Sequence, residues 1–264
     1  MDILSPQNAR VKEWAALLEK KHRDKQGKYI IEGIHLVKEA LAAGVEIECI
    51  CYDLEKGIPG ELSERSAGGP DIEWIGVSAA VIGKCSDTPS PQPVFAVIRK
   101  GLPSPEGLLK VANGLVVVLD GVQDPGNIGT IIRSADAVGA DGVIVGPGCA
   151  DIYSPKVIRS TMGSLFHLPV VSCSLKDVLP RAKEQGIRLA GTSLQANGNC
   201  FTYDFTGPVW LLFGSEAKGL SPEVRELMDD GLLIPMHGQA ESLNVAMAAS
   251  VLLYEALRQR HYSN

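Results

Sequence analysis

Asn127, Arg133, Glu216, Ser242 and Asn244 are the polar side chains whose positions in this sequence suggest chemistry. They belong to three separated stretches. The first is Asp120-Gly121-Val122-Gln123-Asp124-Pro125-Gly126-Asn127-Ile128-Gly129-Thr130-Ile131-Ile132-Arg133. The second is Phe213-Gly214-Ser215-Glu216-Ala217-Lys218-Gly219-Leu220, and the third is Ile234-Pro235-Met236 running on to Glu241-Ser242-Leu243-Asn244-Val245-Ala246. Each places small and polar residues just beyond an apolar run that reads as a buried strand. That is where an α/β sheet presents its ligand site.

What the stretches lack excludes several chemistries. Gly214 and Gly219 are five apart, as in a P-loop, yet Leu220 follows where a Lys-Ser/Thr pair would hold phosphate. The first stretch carries no G-x-G-x-x-G fingerprint for a dinucleotide. No G-x-S-x-G nucleophile elbow, H-E-x-x-H pair or repeated C-x-x-C occurs, so neither a serine hydrolase nor a metal centre is expected.

Each polar residue also has a local explanation. Asn127 could cap the helix it begins. Arg133 lies beside an apolar stripe and could be a surface arginine. Glu216 could pair with Lys218 or Arg225, Ser242 could be an N-cap, and Asn244 a first-turn polar residue.

The elements that must position these residues can be read from periodicity. Apolar runs at 115–119, 142–145, 168–171, 187–190, 209–213 and 232–234 alternate with helical segments. Such runs predict a parallel sheet covered by helices on both faces. Ile128, Ile131, Ile132, Ala135 and Val138 mark one buried helical stripe, with Gly139 as its stop. Ser242 is expected to cap a last helix carrying Leu243, Ala246, Ala249, Leu253 and Leu257. Both helices start inside their stretches, so their N-terminal amides should face the ligand region.

A turn-forming segment at 101–113 reads as a linker between a domain at 1–100 and another at 114–264. The first domain should be a small α/β unit. It opens with one amphipathic helix from Ala9 to about Lys25 and has strands near 29–31, 47–51, 72–75 and 94–98.

The chain has 264 residues, 45% of them hydrophobic, which is ample for two buried cores. No apolar run approaches the ~18 residues of a membrane span, and the first residues lack the layout of a secretion signal. A cytoplasmic protein without membrane contact is therefore expected. The six cysteines are scattered; Cys49 and Cys51 are expected on opposite faces of one strand. A net charge of −6 does not advertise a nucleic-acid partner. Locally, however, Arg10, Lys12, Lys20, Lys21, Arg23, Lys25 and Lys28 outnumber Glu13, Glu19 and Asp24, a surplus able to contact phosphates.

Taken in order, the three stretches resemble the motifs of the SpoU (TrmH-type) RNA ribose methyltransferases of the SPOUT superfamily. The resemblance extends to the N-terminal part through Ser5-Pro6-Gln7-Asn8, Lys20-Lys21, Tyr29-Ile30-Ile31-Glu32-Gly33 and Ser86-Asp87-Thr88-Pro89. It implies a C-terminal trefoil knot that binds S-adenosylmethionine, preceded by a small L30e-like α/β domain that binds RNA. It implies methyl transfer to a ribose 2′-hydroxyl, of ribosomal RNA first and transfer RNA second, within a homodimer. A non-catalytic RNA-binding relative is the alternative. By the same resemblance Thr192, Gly214, Ile234, Met236 and Leu243 would hold the cofactor. Arg133, Asn127, Glu216, Ser242 and Asn244 would surround the methyl acceptor. An arginine keeps its proton in proteins, so Arg133 is expected to hold phosphate and stabilise charge on the 2′-oxygen. The proton would go to Glu216, Asn127 or a bound water.

Overall fold

The computed structural model describes residues 2–66, 72–193, 196 and 198–262. In chain order the first elements are α1 (Ala9–Ala16), α2 (Lys20–Gln26), β1 (Lys28–Glu32), α3 (Ile34–Ala43), β2 (Ile47–Asp53) and α4 (Gly60–Ser66). Then come β3 (Glu73–Val77), α5 (Ala79–Lys84), β4 (Val94–Arg99), α6 (Glu106–Leu109), β5 (Leu115–Asp120), α7 (Pro125–Ala137) and β6 (Gly142–Val145). The remainder is α8 (Pro155–Thr161), a 3-10 turn (Ser164–Phe166), β7 (Val170–Ser172), α9 (Leu175–Glu184), β8 (Arg188–Thr192), β9 (Gly198–Asn199), β10 (Val209–Gly214), α10 (Pro222–Leu227), β11 (Asp230–Leu233) and α11 (Val245–Tyr262).

These elements form two compact units. One contains Met1–Leu102 together with Asp151–His167; the other contains Pro103–Ala150 and Leu168–Asn264. Residues 151–167, read from sequence as part of the 114–264 domain, thus pack with the first unit. The reason is apolar: Ile158 is buried among Tyr29, Ile31, Val37 and Ile50, with Tyr153, Leu165 and Phe166 against the same cluster. The expected linker also differs. Leu108 and Leu109 of α6 are buried in the core of the second unit, so only its first residues are free of that core.

The first unit is built on a four-stranded sheet of order β1-β4-β2-β3, antiparallel except between β2 and β3. Alternation along each strand feeds two cores. Phe95 and Val97 of β4 face a cluster with Val11 and Trp14 of α1, while Val94, Ala96 and Ile98 face the cluster of α3. Cys49 and Cys51 both belong to the first cluster, which corrects their expected split: residues two apart on a strand share a face. Burial pushes the Cys85 thiol, in that cluster, up to about 12.

The single helix expected from Ala9 to Lys25 is broken at Leu17–Glu19 into α1 and α2. Arg23 explains how the break is tolerated. Its Nη1 donates to the carbonyls of Leu17 (2.7 Å) and Leu18 (2.8 Å), and its Nε and Nη2 donate to Asp151 at 3.1 and 2.6 Å. Arg23 is only 3% exposed, so it is unavailable to phosphate. Arg10, Lys20, Lys21 and Lys28 form ion pairs with Glu73, Asp24, Glu19 and Glu48. The basic surplus is therefore largely answered within the unit. Pairs at the surface are weak enough to be exchanged for phosphate, whereas the buried one is not.

The second unit is a seven-stranded parallel sheet of order β7-β6-β5-β10-β8-β11-β9. Val116 and Val118 of β5 pack with Trp210 and Leu212 of β10 against Val178 and Leu179 of α9 and Val224 of α10. The alternate residues Val117, Leu119, Leu211 and Phe213 are also fully buried, on the side carrying α7 and α11. Helices on both faces follow, as the continuous apolar strands require. The short edge strand β9 has no periodic signature, and its two residues could not have been read as a strand.

Replacing Arg23 by Ala should strip Asp151 of its cation, leaving it the Tyr153 N–H alone, and take the donor from two carbonyls. Chemical denaturation is expected to show a loss of roughly 3–5 kcal/mol, against about 0.5 kcal/mol or less for exposed Lys25→Ala.

Candidate functional site

In the parallel sheet, β5, β10, β8 and β11 are consecutive neighbours, and the loops that leave their C-terminal ends are brought side by side. Gly214, the last residue of β10, is in register with Asp120, the last of β5. The buried Asp120 carboxylate accepts the Ser221 backbone N–H at 2.7 Å, tying the loop after β10 to the end of β5.

After β5 the chain turns at Gly121, which has φ +69°. Asp124 then caps α7 by accepting the Asn127 N–H at 2.9 Å, and Pro125 occupies the first turn, where its missing N–H costs nothing. Asn127 is therefore not the cap, and its side chain is free for other work. Its Nδ2 donates to Glu216 Oε1 at 2.6 Å.

After β10 the backbone folds back on itself. Ser215 N–H donates to the Gly219 carbonyl at 3.0 Å, and Gly219 N–H donates to the Ser215 carbonyl at 2.8 Å. The closure is so tight that a Cβ on Gly214 would lie 2.0 Å from the Gly219 carbonyl carbon and 2.1 Å from Leu220 N. Neither backbone atom can swing aside as a side chain would. Ser221 caps α10, and Arg225 Nη2 reaches back to the Leu220 carbonyl at 2.9 Å.

The third stretch also departs from its expected cap. Helix α11 starts at Val245, and Asn244 Oδ1 accepts the N–H groups of Ala246 (2.9 Å) and Met247 (3.4 Å). Asn244 is thus the N-cap in place of Ser242; both residue types suit that role, and the helix start decides between them. The Asn244 Nδ2 donates to Asn127 Oδ1 at 3.0 Å.

The end of β8 and the loops after β10 and β11 line a cavity of about 530 Å3 within the second unit. Thr192, Gly214, Ile234, Met236 and Leu243 line it, together with Glu216, Ser242 and Asn244. Thr192 is the last residue of β8, not part of the loop beyond it. Asn127 is joined to this lining through its two hydrogen bonds. Arg133 stands apart: it is exposed on α7, and it has no hydrogen bond or ion pair among the described residues. Leu220, Arg225 and Met228 also line the cavity and were not anticipated. The signal for Met228 lies in Gly191, where a Cβ would meet the Met228 sulfur at 2.3 Å; the small residue makes room for the large one. Among the described residues no cluster of three or more His, Cys, Asp or Glu side chains could hold a metal ion.

An apolar wall, a glycine-lined turn and a rim of amides with one carboxylate suit a mid-sized ligand with both apolar and polar parts. Comparison with known proteins agrees. Residues 114–254 match the SpoU rRNA Methylase family, and residues 8–96 match the MRM3-like substrate binding domain. The chain is 39% identical to the 23S rRNA (guanosine(2553)-2'-O)-methyltransferase RlmP of Bacillus subtilis, over 96% of this chain and 97% of that one. It is 37% identical to a 23S rRNA (uridine(2479)-2'-O)-methyltransferase of Streptomyces viridochromogenes, over 97% and 92%. Among solved structures, the SpoU methyltransferase AviRb of Streptomyces viridochromogenes in complex with AdoMet aligns with a TM-score of 0.90 at 35% identity, covering 98% of this chain and all (100%) of that one. An AdoMet-bound rRNA methyltransferase from Sinorhizobium meliloti aligns at 0.87 and 32% identity, covering 100% and 99%.

Gly214→Ala should force the 215–219 turn open, with a loss of about 1–3 kcal/mol in thermal denaturation. Gly207→Ala, whose Cβ would meet nothing, serves as the control and should leave the melting temperature nearly unchanged.

Proposed function

The chain belongs to the SpoU rRNA methylase family, and from that premise we propose that it transfers a methyl group from S-adenosylmethionine to a ribose 2′-hydroxyl of ribosomal RNA. The observation that carries this reading is one cavity lined by the loops after β10 and β11, to whose Glu216 and Asn244 the first stretch is tied through the two hydrogen bonds of Asn127. Full-length relatives named for 23S rRNA favour ribosomal over transfer RNA. A non-catalytic relative would be expected to lose these polar residues; here all are present and held in place.

The cavity suits the cofactor in size and lining. Its volume is in the range of sites for molecules of drug size, roughly 300–1,000 Å3. Gly214 and Ile234 line it beside Met236 and Leu243, which supply apolar surface, and Thr192 adds a hydroxyl. When bound there, S-adenosylmethionine supplies a methyl group already activated by its sulfonium, so the protein has chiefly to align the acceptor and exclude water. Arg133 holds the phosphate beside the acceptor nucleotide and stabilises negative charge growing on the 2′-oxygen. Ser242 and Asn244 position the ribose at the cavity rim.

The finer features follow from the same reading. The C-terminal loops form the family's trefoil knot, and residues 1–100, with 151–167, act as an L30e-like RNA-binding domain. The match at residues 8–96 supports that assignment. The protein works as a homodimer through α11, where exposed Met247 and Tyr254 flank Val251 on one helical stripe. It acts in the cytoplasm, where its RNA substrate would be found.

Isothermal calorimetry should show binding of S-adenosylmethionine but neither NAD nor ATP. Mapping 2′-O-methyl nucleotides in ribosomal RNA, with and without the protein, should reveal a single site that disappears in its absence. Arg133→Ala should lower kcat/KM by about 10²–10³ with cofactor affinity retained. Arg133→Lys should restore little, since an ammonium cannot make the planar two-point contact; near-normal turnover of that variant would remove this role for Arg133.

A further inference from the structure

Resting on that methyl-transfer reading, we propose that Glu216 accepts the proton of the ribose 2′-hydroxyl, and that the cap of α11 holds it ready through the amides of Asn244 and Asn127. Donor and acceptor identities fix each contact in turn. A backbone N–H can only donate, so the Asn244 atom that meets Ala246 N at 2.9 Å must be the oxygen. The Asn244 NH2 group is then the one facing Asn127, and it too can only donate, at 3.0 Å. Asn127 must therefore turn its oxygen to Asn244 and its NH2 to Glu216, which it meets at 2.6 Å. A donor at that position is matched by a lone pair of Oε1 and excludes an O–H there, so a proton taken up by Glu216 must sit on Oε2. Each link fixes the next, and the chain begins at a helix terminus whose N–H groups cannot be reversed.

The α7 side is fixed as well, because Asp124 holds the Asn127 backbone N–H at 2.9 Å. Glu216 is the carboxylate among the described residues lining the cavity; the charged side chains lining it beside Glu216 are Lys218 and Arg225. Oε1 of Glu216 is engaged by Asn127, while Oε2 has no hydrogen bond among the described residues. Other ionisable groups on the surrounding elements include Asp120 at the end of β5, the cap Asp124 with Arg133 and Asp136 of α7, Glu223 and Glu226 of α10, and His237 and Glu241 ahead of α11. In the step itself, the 2′-oxygen forms a bond to the methyl carbon and releases its proton to Glu216 Oε2. The electrons of the broken carbon–sulfur bond remain on sulfur, so charge and atoms balance.

Asn127 and Asn244 are then positioning residues, and Asn244→Asp separates that role from simple capping. Asp caps a helix as well as Asn does, but its carboxylate only accepts. Asn127 must turn its NH2 toward the new carboxylate, which leaves its oxygen facing Glu216; that contact is satisfied only when Glu216 carries a proton. The carboxyl resonance of Glu216 in a 13C NMR titration of the RNA-free protein, assigned with Glu216→Gln, should move its midpoint up by about 1 pH unit or more. The acid limb of kcat at saturating RNA should move up equally, so that activity is lost at a higher pH than in the wild type. Added charge alone would also raise the midpoint, but that effect fades between 0.1 and 1 M salt, where screening shortens from about 10 to 3 Å. A shift that persists in 1 M salt supports the relay; a shift that vanishes there, or an unchanged titration, overturns it. Glu216→Gln should cut kcat by about 10²–10⁴ with calorimetric affinity for S-adenosylmethionine unchanged; turnover within a few fold of wild type would also overturn the proposal. If the wild-type protein binds S-adenosylmethionine and methylates RNA while these tests fail, only the relay falls. If it does neither, the methyl-transfer reading falls with it.

Discussion

The site depends on one close approach of backbone to backbone. At the end of β10 the chain leaves the sheet, reverses within five residues and presses Gly219 and Leu220 against Gly214. Nothing but hydrogen fits there. That contact places Ser221 where Asp120 can hold its N–H, and so locks the exit of β10 to the exit of β5. It also sets where Glu216 emerges, and hence whether Asn127 can reach it. A polar rim is gathered from three distant parts of the chain because a turn with no side chain stands between them.

Order in the remaining rim comes from helix ends. Asp124 and Asn244 each satisfy N–H groups that their helices leave open, and each is thereby immobilised. Asn127 bridges the two helices, joining α7 to the residue that caps α11 across 117 positions of sequence. Packing of α7 on α11 keeps the bridge at hydrogen-bond length. The parts that stabilise the fold and the parts that form the polar rim are in several cases the same atoms.

Much of this was readable in advance, for identifiable reasons. The second unit's strands are continuous apolar runs, and a fully covered parallel sheet leaves that trace in any sequence. The buried stripe of α7 was equally plain. Interactions that depend on long-range placement were not. Ser242 and Asn244 are both good caps, and only the start of α11 at Val245 separates them. The break between α1 and α2 was hidden because Leu17 and Leu18 continue an apolar helical stripe; it is stabilised by Arg23 reaching Asp151, a partner 128 residues away. Local charge counting took Arg23 for a surface cation, since no local pattern marks an arginine that turns inward. Cys49 and Cys51 needed only the two-residue repeat of a strand, which puts them on one face.

The membership of residues 151–167 in the first unit bears on how the protein is made. When the ribosome has passed residue 102, the sheet of that unit is complete, but Ile158 and its neighbours, which cover Tyr29 and Ile31, are still missing. About 65 further residues must be polymerised before His167 emerges, which at ordinary synthesis rates takes roughly 3–13 s. For that interval the nascent chain carries an uncovered apolar surface, with β5, α7 and β6 added meanwhile. The two units therefore cannot mature strictly one after the other, and the earlier of them in sequence waits for a piece delivered in the middle of the later one.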